Sequence, residues 1–83
     1  MGRMVQLWKC EDTAESATYL YGPSKEQSGR LKVYKKEETV TILSPIPKLS
    51  EDEDRFLYRD LAITKLQMLL SRETYPDETF IGT

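Results

Sequence analysis

The chain contains no histidine and only one cysteine among its 83 residues. Without histidine it lacks the commonest general base and any Ser-His or Cys-His nucleophile pair. It also lacks the usual nitrogen ligand of zinc, and Cys10 alone cannot supply a thiolate set. A single cysteine permits no disulfide within the chain, which fits a reducing compartment and an expected cytoplasmic location. Cys10 itself is expected to be a small buried apolar residue.

Glycine is scarce and scattered: Gly2, Gly22, Gly29 and Gly82 lie far apart, so no phosphate-cradling loop is present. No apolar run approaches the ~20 residues a membrane-spanning helix needs. The stretch "MGRMVQLWKC" has no apolar core of a secretory leader. Gly2 follows Met1, but Gln6 stands where the myristoylation pattern needs Ser or Thr. Neither sign of charge dominates; 12 Lys and Arg against 14 Asp and Glu leave a net charge of -2. That balance provides no global attraction to nucleic acid or an anionic membrane. Together these absences argue against an enzyme, a metal site, a cofactor or a membrane protein.

What remains is a globular composition, 39% hydrophobic and 31% charged, in a chain long enough for one domain over residues 1–83. The first half reads as strands, each short, alternating and rich in β-branched or aromatic residues. They fall at about 4–10, 17–21, 30–35 and 38–43. A turn at Lys36-Glu37 places Val33 opposite Val40, Leu31 opposite Ile42 and Tyr34 opposite Thr39. Opposed residues share a face, and these agree in character. Carrying the same logic on sets Leu20 opposite Leu31 and Leu7 opposite Leu20, giving a four-stranded antiparallel meander.

The second half reads as one helix over about 51–72. Ser50 is a good N-cap, and Glu53 three residues on completes a capping box. Glu51, Asp52, Glu53 and Asp54 fill the first turn, where the helix dipole favours negative charge, and a solvated face is expected for them. Arg72 near the far end and Pro76 beyond it mark the stop. "SPIPK" before the helix is a stiff extended connector. The fold class is therefore α+β, with one long helix across one sheet face and a tail, residues 73–83, that packs back or adds a short strand.

Alternation sorts the sheet into two faces. Val5, Leu7, Leu20, Leu31, Val33, Val40 and Ile42 form an aliphatic face suited to the helix. Trp8, Tyr19, Tyr21 and Tyr34, with Lys32, Thr39 and Thr41, form an aromatic one. On a regular helical wheel, Phe56, Tyr58, Ala62, Ile63, Leu66, Leu69 and Leu70 share one broad arc, and Leu57, Leu61 and Met68 form a second stripe. A chain this short cannot cover both the aromatic face and the second stripe. The functional expectation is a non-enzymatic protein-interaction module that forms a homodimer or binds another protein. Its interaction surface is expected to comprise Trp8, Tyr19, Tyr21, Lys32 and Tyr34 on the sheet, or Leu57, Leu61 and Met68 on the helix. The alternative is weak single-stranded nucleic-acid binding, since Lys25, Arg30, Lys32, Lys35 and Lys36 surround Tyr34. The bland reading of those cations is that they solubilise a sheet edge.

Overall fold

A computed structural model describes residues 4–82; the readings of Gly2 and the other terminal positions lie outside them. Four strands, β1 (Met4–Asp12), β2 (Ser16–Gly22), β3 (Gly29–Tyr34) and β4 (Thr39–Ser44), form the antiparallel meander. A helical rod follows, built from α1 (Glu51–Asp54), a π-helical turn (Arg55–Arg59) and α2 (Asp60–Arg72). A fifth strand, β5 (Glu78–Gly82), pairs antiparallel with β1, so the order is β4-β3-β2-β1-β5. At 1.5 Å per residue the rod is about 33 Å long, whereas five strands spaced ~4.8 Å are about 20 Å across. The rod can therefore carry the chain from the β4 edge to the opposite one, where β5 adds.

The β3–β4 hairpin has the expected register: Leu31 faces Ile42, Val33 faces Val40 and Tyr34 faces Thr39. Its loop is four residues long, with Glu38 in the left-handed region at φ 56°. Ser50 and Glu53 form the capping box; the Glu53 N–H donates to Ser50 Oγ at 3.1 Å and the Ser50 N–H to Glu53 Oε1 at 3.2 Å. The far end closes on Glu73 at φ 54°, ψ 38°. There the Thr74 N–H bonds the Leu69 carbonyl and the Glu73 N–H the Leu70 carbonyl, the paired bonds of a left-handed helix stop.

Two expectations are corrected. The first is the register of β2. Leu31 faces Tyr19, not Leu20, and Leu7 faces Tyr21, not Leu20. A one-residue slip turns every side chain of a strand to the other face. Tyr19 and Tyr21 therefore join Val5, Leu7, Leu31 and Val33 under the helix, each with no exposed surface, and Leu20 faces the other way. The physical reason lies in polar partners for the buried phenols. Tyr19 Oη donates to the Pro76 carbonyl at 2.6 Å and Tyr21 Oη to Asp54 Oδ1 at 2.7 Å. Gly29, opposite Tyr21, leaves room for its ring; a Cβ there would sit 2.5 Å from it.

The second correction concerns the helix. At the π turn the Asp60 N–H bonds the Arg55 carbonyl, five residues back. In a regular helix, residues five apart point about 140° away from each other. The wider turn brings Asp54 and Arg59 to the same side, and both are buried. Phe56, expected on the core arc, is 56% exposed instead. Asp54 is therefore not part of a solvated acidic face. Its Oδ2 accepts from the Ile46 N–H at 3.1 Å, and Ile46 is driven into the core by the stiff connector.

Candidate functional site: the uncovered face of the sheet

The rod and the loops cover most of one face of the sheet; at its β4 edge Ile42, expected beneath the helix, is 40% exposed. Strand pairing places the residues of the other face in rows. One row runs Ser44, Arg30, Leu20, Trp8, Glu78 from β4 to β5. The next runs Thr41, Lys32, Thr18, Glu11, and beyond it lie Thr39, Tyr34 and Ser16. On the other side Gln6 stands beside Phe80, and Met4 beside Gly82.

This face is apolar in patches and charged in stripes. Met4 and Phe80 are 58% and 63% exposed. Trp8, Leu20 and Tyr34 are half-buried by their neighbours within the sheet. Lys32 Nζ lies 5.3 Å from the centre of the Tyr34 ring, a cation held over an aromatic face. Gln6, Trp8, Glu78, Thr79 and Phe80 line a shallow, open depression along β1 and β5. The cations Arg30 and Lys32 stand on β3, and the acids Glu11 and Glu78 on β1 and β5. The two signs thus flank β2, the central strand.

Of the residues named from sequence, Trp8, Lys32 and Tyr34 come together on this face. Tyr19 and Tyr21 do not; they are core residues. Leu61 is half-buried and packs against the core, Leu57 is half-buried and Met68 is 38% exposed. Leu20, Arg30, Phe80, Met4, Glu11 and Glu78 were missed as members of the face. Within β5 Ile81 packs against the core, and alternation along the strand turns Phe80 to the open side.

Elsewhere several ionisable groups are engaged within the chain. Burial, and then the hydrogen bond to Asp54, raise the Tyr21 phenol far above its ordinary range, so it stays a donor. Arg59, beside that pair, is held in its charged form chiefly by Glu51, which it bonds. At one end of the sheet Lys35 and Lys9 hold the Asp12 carboxyl below its usual value, with Lys35 at 2.7 Å and Lys9 at 3.0 Å. Lys9 Nζ also donates to the Tyr75 carbonyl at 2.9 Å, and Lys35 Nζ lies 4.5 Å over the Tyr75 ring. This cluster pins the turn after the helix to the sheet. Cys10 is exposed, contrary to expectation. It is the extra residue where the β1–β2 register shifts between Lys9 and Glu11.

Among the described residues, no group of three or more His, Cys, Asp or Glu is placed to hold a metal ion, and no helix is long and apolar enough to cross a membrane. Comparison with protein-family models, with curated proteins and with solved structures returns no significant match.

Proposed function

We propose that this chain is a small interaction module, not an enzyme, and that it works by self-association through the uncovered sheet face. The observation that carries the reading is a five-stranded sheet with one face covered by the rod and the other left open with Trp8, Leu20, Tyr34, Met4 and Phe80 on it. Strands ~4.8 Å apart and about five residues long give that face a projected area of roughly 400 Å². Two such faces together fall below the ~1,200 Å² of stable specific pairs, so a weak, transient association is expected.

Size-exclusion chromatography with light scattering, from micromolar to millimolar chain, tests the reading. The mass should rise toward a dimer with concentration, and Leu20→Glu should hold it at the monomer. A wild-type chain that stays monomeric at millimolar concentration removes the reading.

One observation favours a second reading, single-stranded nucleic-acid binding: Arg30 and Lys32 share the face with Trp8 and Tyr34, and ring and cation already stack at Lys32. The acids Glu11 and Glu78 on the same face oppose it. Quenching of Trp8 fluorescence by an oligonucleotide at low salt, reversed by added salt, would favour this alternative.

A further inference from the structure

The charges of the open face are arranged so that the face complements itself. We propose that two copies pack open face to open face about a two-fold axis that runs parallel to the strands over β2, pairing Arg30 with the partner's Trp8 and Lys32 with the partner's Glu11, each twice. The inference rests on the self-association reading above and adds the geometry of the pair.

Two sheets stacked face to face can be related by a two-fold axis along the strands or across them. An axis across the strands would lay each strand over its own copy. The β3 cations, Arg30 and Lys32, would then face the same two cations of the partner, and like charges brought together oppose association. An axis along the strands reverses the strand order instead. Because β2 is the third of five strands, β3 then lies over the partner's β1.

The rows decide what meets. In the first row, Leu20 lies on the axis against the partner's Leu20. Arg30, one strand to one side, meets the partner's Trp8, one strand to the other side. Indole is the best ring for holding a cation, and guanidinium is the cation most often found over one. In the second row Thr18 lies on the axis, and Lys32 meets the partner's Glu11. Stacked twisted sheets are rotated about 30° from each other. One strand from the axis that rotation displaces the rows by about 2–3 Å, within reach of Arg, Lys and Glu side chains. Two strands out it is about twice as large, so β4 and β5 form the rim.

Charge exchange tests the arrangement on the full chain. Lys32→Glu sets acid against Glu11 at both ends of the pair, and Glu11→Lys sets cation against Lys32. Each variant alone should dimerise about tenfold more weakly than wild type, with the difference shrinking as salt rises. An equimolar mixture should return to wild-type affinity as a heterodimer, because both pairs then join opposite charges. Light scattering gives the affinities and native mass spectrometry the heterodimer. Since restoration requires two folded partners, it also excludes misfolding as the cause of the weakening.

Tighter association of Lys32→Glu would mean the cations face each other, and the proposed axis is overturned while self-association stands. A mixture no stronger than its components overturns it in the same way. So does a wild-type dimer that Met68→Glu, at an exposed helix position, breaks and Lys32→Glu does not, since the interface then lies on the helix. A wild-type chain that never dimerises overturns both the axis and the reading beneath it.

Discussion

Removing one hydroxyl, with Tyr21→Phe, probes the contact that joins the sheet to the start of the helical rod. Tyr21 Oη donates to Asp54 Oδ1 at 2.7 Å, and both residues are fully buried. The ring remains to fill its place against Gly29, so no large cavity forms. What is lost is a donor to a buried carboxylate. A hydrogen bond to a charged group contributes about 1.5–3 kcal/mol, so a loss of about 2 kcal/mol is expected. Unfolding entropy of about 2.1 cal/mol/K per residue gives roughly 170 cal/mol/K for a chain of this length, and Tm should fall by about 10 °C. Asp54→Ala should cost more, about 3–4 kcal/mol, because it orphans both the Tyr21 hydroxyl and the Ile46 N–H. The two changes should not add: a double-mutant cycle should return a coupling above about 1 kcal/mol. Urea and thermal unfolding followed by circular dichroism give these quantities. A Tyr21→Phe effect below about 0.5 kcal/mol, or strict additivity in the cycle, would refute the view that this hydrogen bond places the tyrosine in the core.

Alkaline titration reads the same burial from another direction. Burial raises both Tyr19 and Tyr21 far above the ordinary phenol value. A pKa raised in the folded state leaves stability intact below the unfolded value of about 10 and lowers it as pH climbs beyond. Absorbance near 295 nm should therefore show Tyr19 and Tyr21 ionising only together with unfolding, and ionisation of all five tyrosines before any loss of circular dichroism would contradict the buried placement. At the end of the rod, Glu73 holds a left-handed conformation that glycine adopts without steric cost. Glu73→Gly should raise stability by about 0.5–1 kcal/mol in urea unfolding, and a loss of stability would show that the Glu73 side chain contributes more than its backbone strain costs.

The open face was only partly legible in the sequence, and β2 shows why. In "SATYLYG" both alternating sets, Ala17-Tyr19-Tyr21 and Thr18-Leu20, contain apolar residues. Hydrophobic alternation specifies register only where one set is polar. Tyrosines read as surface residues when their hydroxyls have no visible partner, and the partners here are 33 and 57 residues away. Gly29, which accommodates the Tyr21 ring across the strand pair, was the local sign of the true register. The rod misled for a similar reason. A wheel drawn at 100° per residue assumes unbroken α geometry, and one wider turn at Arg55–Arg59 rotates the first turn against the rest. Phe56 then moves out, and Asp54 moves in.

By itself the sequence determined what short-range physics controls. The strand order of the meander, the β3–β4 register, the Ser50–Glu53 cap and the stop after Arg72 each follow from residues within a few positions of one another. Tertiary structure alone decided which face of β2 turns inward, where β5 pairs, and whether the fourth acid of the run is solvated. Each of those outcomes depends on a polar group finding a partner in another element, and hydrophobic periodicity does not show such a pairing. It follows that the uncovered face, with Leu20 at its centre and opposite charges to either side, is a product of the assembled sheet and is not encoded in any single strand.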